Sequence, residues 1–162
     1  MAVAAHRLTV DTDLPNVSRH LAASAIALKW QWDAKKHCVV SSFRLEASAE
    51  GLPGHIHGGA LAAICDEAMG WACWCNGYVA AGARIQTEFK VPVRSGQLLL
   101  VSACVDAVDG RKLTTSAWIA GEAGNPTVVA AEGLYVAITP KDWSAFAGWP
   151  GLERFVGGSS AG

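Results

Sequence analysis

The chain has 162 residues, 51% of them apolar, and a formal net charge of −1. That length suits one domain with an ample core, and near neutrality argues against nucleic acid as the main partner, which calls for a basic face. The longest apolar run, 58–75, contains Asp66 and Glu67, so it reads as a buried helix and not as a membrane span. The first residues lack a basic start, a long apolar run and a small-residue cleavage site, so no signal peptide is expected. Five cysteines are present: Cys38, Cys65, Cys73, Cys75 and Cys104. Their spacing suggests no disulfide framework, and Cys73 and Cys75 alone make poor zinc geometry. Reduced, mostly buried thiols in a cytoplasmic protein are the expectation.

In chain order, residues 1–25 form a weakly patterned extension. Pro15 and Asn16 mark a turn there, and Ser18 can cap a short helix through Ala25. Ile26–Trp32 and His37–Ala47 read as strands joined by a turn at Asp33–Lys36. Ala49–Gly54 is a loop that leads into the central helix, 58–75, which Asn76-Gly77 stops. Ala83–Val91 alternates, with Ile85, Thr87 and Phe89 on one side and Arg84, Gln86, Glu88 and Lys90 on the other. Pro92 ends it. Gln97–Val108 and Lys112–Gly121 flank Asp109-Gly110, a hairpin signal. A Gly124-Asn125-Pro126 turn leads to Thr127–Thr139, which Pro140 closes. The tail, 141–162, carries Trp143, Phe146, Trp149 and Phe155, with Gly157–Gly162 expected to be disordered.

One domain over 26–140 follows, of the α+β class: a long antiparallel sheet wrapped around a single helix. Strands of that length leave an edge that a second subunit can extend.

The run Gly51-Leu52-Pro53-Gly54-His55-Ile56-His57-Gly58-Gly59, with Asp66 nine positions after His57, resembles hotdog-fold thioesterases of the PaaI-like and THEM4-like group. So does the strand ARIQTEFKVPVRSG, Ala83 to Gly96. The similarity covers roughly residues 37–139. It implies the hotdog fold, hydrolysis of an acyl-CoA or acyl-carrier thioester, and no metal or organic cofactor. It also implies a homodimer, often a dimer of dimers, with sites between subunits. Relatives often carry Thr or Ser at the start of the strand after the helix, where Gly82 or Ala83 stands here. Some carry Asn or Gln where Gly51 stands.

A thioester carbonyl becomes an oxyanion on attack, so it needs a fixed donor. Gly58 and Gly59 begin the helix, where amides lack intrahelical acceptors and the dipole favours negative charge. His57 is placed to fix the loop or to donate. Asp66 is the expected base or nucleophile, ahead of its neighbour Glu67; the two mechanisms stay open. Eight residues of helix place Asp66 about 12 Å from Gly58, too far for both to act on one carbonyl. An antiparallel partner helix would bring Asp66 of one chain to Gly58 of the other. Arg84, Thr87, Lys90, Arg94, Arg111 and Lys112 are candidates for binding substrate, the cations suiting phosphates of coenzyme A. A hotdog dehydratase or hydratase, and a non-catalytic acyl-ligand binder, are the alternatives. His55 and His57 are read as structural, and Cys65 as core filler.

Overall fold

The computed structural model describes residues 28–122, 126–139 and 142. Strand β1 is Gln31–Asp33 and β2 is Cys38–Phe43; after a single 3-10 turn at Ala47–Ala49, β3 (Glu50–Leu52) and β4 (His55–Ile56) form a small hairpin. Helix α1, Gly58–Cys75, follows, and then β5 (Ala80–Phe89), β6 (Leu99–Asp109), β7 (Lys112–Gly121) and β8 (Thr127–Ala137). Six strands form one sheet in the order β1-β2-β6-β7-β8-β5, with every pairing antiparallel. Among the described residues this is one α-helix packed on a long antiparallel sheet, as the hotdog resemblance implies.

Helix α1 is apolar on nearly every side because the sheet curls around it. Ile64, Cys65, Ala68, Met69 and Ala72 are wholly buried, and so are Val39, Leu99, Leu113, Ile119 and Val129 on the strands. Ridges of branched side chains on both layers exclude water, and this burial is the main term holding the layers together. The helix spans the expected residues. His57, in extended conformation, is its N-cap, and the Gly77 amide closes its end on the Trp74 carbonyl at 2.9 Å. No helix among the described residues is long and apolar enough to cross a membrane.

Most strands run where the pattern puts them, with shifted ends. The first does not, since residues 28–30 are outside any strand and β1 extends through Asp33, the residue expected to open the turn. β2 stops at Phe43 and not at Ala47, since Leu45 turns inward beyond the ladder and its carbonyl accepts from the Gly96 amide at 2.8 Å. The loop expected over 49–54 carries β3, the first strand of a bulged hairpin that β4 completes just beyond it. β5 begins at Ala80, earlier than expected, because it pairs with the far end of β8. The Asp109-Gly110 hairpin forms as expected, with Asp109 opposite Lys112 and Gly110 at φ 57.

The cysteine reading needs correction. Cys38 and Cys104 are directly opposite in the β2–β6 register, with Cα atoms 4.3 Å apart, and they form a disulfide. Spacing along the chain could not reveal a partner brought in by strand pairing 66 residues away. Cys65, Cys73 and Cys75 are free and buried. The expected N-terminal turn and helix, the start of the first strand, Gly124-Asn125, Pro140 and the aromatic and glycine-rich tail lie outside the described residues.

Candidate active site

The helix start is built around the His57 ring. Its Nδ1 accepts the Gly59 amide at 2.9 Å, satisfying one donor that the first turn leaves open. Glycines flank the ring: a Cβ on Gly51 would lie 2.9 Å from His57 Cδ2, and one on Gly59 would lie 2.8 Å from Nδ1. The histidine therefore caps the helix, and the Gly59 amide is engaged. Gly58, the first helical residue, has no hydrogen-bond partner for its amide among the described residues. The Phe89 ring lies against it, 3.1 Å from where a Cβ would stand.

The two stretches that carry the family resemblance hold each other. The Ile56 amide donates to Val93 O at 2.9 Å, the Ser95 amide donates to Gly54 O at 3.2 Å, and His55 bridges Arg94. Glu50 ties the same loops, accepting from the Ser95 hydroxyl and from the Gly54 amide. Those two bonds hold its carboxyl below the usual carboxylate value.

Asp66 and Glu67 face different surroundings. Glu67 turns into the protein and is 7% exposed. Asp66 is exposed in the single chain and lies beside β5, the edge strand. A Cβ on Gly82 would be 3.5 Å from Asp66 Oδ1. The ladder shifts register there, between Gly82 and Arg84, and such bulges re-aim strands locally. Tyr135 on β8, directly opposite Gly82, donates its hydroxyl to Asp66 Oδ1 at 2.5 Å. The sequence reading missed Tyr135. The only signal for it is an aromatic with a polar tip on the inward face of the last strand. Burial pushes the Cys65 thiol up to about 12, with the Asp66 charge adding to the effect, which fits filler and not a nucleophile.

The expected substrate-binding residues fall at two ends of the sheet. Lys90 and Arg94 are at the Gly58 end: the Lys90 amide bonds Val128 O, and Arg94 bridges the helix-leading hairpin. Lys112 is opposite Val136, and Arg111 Nε donates to Ala137 O at 3.1 Å. Val128 and Val136 are separated by about 26 Å of extended strand. Arg84 is on β5, two residues beyond Gly82 and opposite Leu134, and Thr87 is half-buried further along that strand. Lys90 pairs with Glu88 at 3.3 Å on the surface, a contact of little energetic weight.

The model of the thioesterase superfamily matches residues 53–124. The acyl-coenzyme A thioesterase THEM4 of Bos taurus is 30% identical over 92 residues, 57% of this chain and 38% of that protein. The chain spans about two fifths of the length of the curated relatives it matches. Among solved structures, the E. coli PaaI protein from the phenylacetic acid degradation operon is 21% identical with a TM-score of 0.63, over 74% of this chain and 83% of that one. A hypothetical thioesterase from Streptococcus pneumoniae, solved with coenzyme A, is 15% identical with a TM-score of 0.63, over 70% of this chain and 85% of that one. At those identities the two structures are alike in fold.

Proposed function

We propose that this chain, a member of the hotdog-fold thioesterases of the PaaI-like and THEM4-like group, hydrolyses an acyl-CoA or acyl-carrier thioester to free acid and thiol. One observation carries the proposal. A helix with an unengaged amide at Gly58 also presents an exposed carboxylate at Asp66, beside a sheet edge. The amide polarises the thioester carbonyl and stabilises the oxyanion. Asp66 either takes a proton from water or attacks the carbonyl. His57 holds the Gly58–Gly59 turn in place by capping it. Glu67 turns inward and takes no part.

The two groups are about 12 Å apart along one helix, so one protomer does not complete the site. We propose a dimer in which the β5 edges meet, extending the sheet and setting the two helices antiparallel. Each site then combines Gly58 of one subunit with Asp66 of the other. Lys90 and Arg94 at the Gly58 end, with Arg84, are placed to meet the phosphates of coenzyme A. Arg111 and Lys112 would reach the same ligand only from the partner subunit. The identity of one relative as an acyl-coenzyme A thioesterase and coenzyme A bound to a protein of the same fold support this substrate class.

The test is thiol release from a panel of short, long and aromatic acyl-CoAs. Turnover of at least one, lowered roughly 100-fold or more by Asp66→Asn, is the expected result. Silence across the panel would contradict hydrolysis and favour an acyl-ligand binder; hydration of crotonyl-CoA without thiol release would favour a hydratase.

A further inference from the structure

We propose that Tyr135 is a positioning residue for Asp66, holding one carboxylate oxygen so that the other is presented to the substrate; the inference rests on the reading of Asp66 as the base or nucleophile. The phenol is buried, 2% exposed, yet its hydroxyl lies 2.5 Å from Asp66 Oδ1 and 2.9 Å from the Asp66 carbonyl. A phenol has one hydrogen to give. The nearer, charged oxygen takes it, since charge-assisted bonds are the shorter and stronger ones. Burial, with the Asp66 charge beside it, pushes the phenol well above its ordinary value, so it stays protonated and remains a donor. Asp66 Oδ2 has no partner among the described residues.

Two glycines make this reach possible. On β8, a Cβ at Gly133 would lie 2.6 Å from Thr115 Oγ1, 2.7 Å from Tyr135 Cε2 and 2.9 Å from Met69 Sδ, so a side chain there would crowd the Tyr135 ring along with its two neighbours. On β5, Gly82 is directly opposite Tyr135 and places nothing between the phenol and the carboxylate. A carboxylate on an exposed helix face otherwise samples several rotamers. Fixing Oδ1 selects one of them, and positioning of this kind is reflected in the rate of the chemical step more than in binding. The Tyr135 contact spans 69 residues of sequence and joins β8 to the middle of α1.

Gly82 supplies the test. A Cβ there meets Asp66 Oδ1 at 3.5 Å, an ordinary contact, so a serine hydroxyl one bond further comes within hydrogen-bond reach. We would measure kcat, KM and the thermal midpoint for Tyr135→Phe, for Tyr135→Phe with Gly82→Ser, and for Asp66→Asn, on whichever acyl-CoA the parent hydrolyses. Tyr135→Phe is expected to lower kcat roughly 10- to 100-fold with KM little changed. Gly82→Ser in that background should return most of the lost rate without a matching rise in thermal midpoint. A Tyr135→Phe protein within about twofold of the parent kcat, alongside an inactive Asp66→Asn protein, would overturn the assignment and leave the proposed reaction intact. A loss that Gly82→Ser does not relieve would overturn it as well. An Asp66→Asn protein with the parent rate would overturn both, since no carboxylate would remain for Tyr135 to place.

Discussion

Asp66 and Glu67 are adjacent in sequence and opposite in setting, and the difference comes from the 100° turn between successive helical residues. One faces the edge strand; the other faces inward. Asp66→Asn is expected to abolish turnover with the thermal midpoint nearly unchanged. Glu67→Gln is expected to alter stability first, because it changes a buried polar group. Activity assays paired with thermal melts on both variants separate the two roles. Gly58 allows a sharper experiment. Proline is tolerated at the first helical position and removes the amide hydrogen, and the extended His57 before it, φ −64 and ψ 131, suits a following proline. Alanine keeps the amide but crowds Phe89 in the same way. Gly58→Pro is expected to lower kcat roughly 100- to 1,000-fold relative to Gly58→Ala, the range seen on removing one oxyanion donor. Equal rates for the two variants would exclude the amide from the chemistry. The residues of the turn were legible because glycine, histidine and acid have a fixed local spacing. Tyr135 was not legible, since it meets Asp66 only after β8 has paired with β5.

At the scale of elements, the helix bounds were readable from the glycines before it and Asn76-Gly77 after it, while the joining loops were not. The stretch 49–54 reads as loop by composition, yet Glu50 makes it a clamp by accepting from Ser95 and Gly54. A folded value held below the ordinary one means that this carboxylate stabilises the fold above its unfolded value. The contribution is lost as pH falls through the folded value. Denaturant midpoints followed from neutral pH down through the carboxylate range should therefore fall less steeply for Glu50→Gln than for the parent. The Cys38–Cys104 bond joins β2 to β6 across a separation of 66 residues, and chain entropy for a loop of that size gives about 4 kcal/mol as its stabilising effect. Reduction should lower the midpoint toward that of a Cys38→Ser, Cys104→Ser protein. Cys65, Cys73 and Cys75 should resist alkylation until the protein unfolds, their thiols being buried and raised to about 12. Rapid alkylation of the native protein at those three would contradict the packing of α1.

At the scale of the whole molecule, the sheet order leaves β5 as an outer strand running past the middle of the helix. That the sheet leaves an edge was legible in the sequence, and so was the arithmetic that keeps Gly58 and Asp66 apart on one helix. Which strand forms the edge was not, and of the apolar side read along Ala83–Val91 only Ile85 and Thr87 are half-buried while Phe89 is exposed. The distribution of Arg84, Lys90, Arg94, Arg111 and Lys112 over two ends was not, because it depends on how far β8 carries the chain between Val128 and Val136. In the dimer proposed above, built on β5, that separation is expected to become complementarity, with cations from both subunits around one ligand. The most direct measurement mixes two inactive proteins, Gly58→Pro and Asp66→Asn, under conditions that let subunits exchange. If each site joins the amide of one chain to the carboxylate of the other, half of the sites in every mixed dimer are intact. Random pairing then returns about a quarter of the parent activity. A mixture that stays as inactive as its components, with exchange verified by mass, would contradict the shared site.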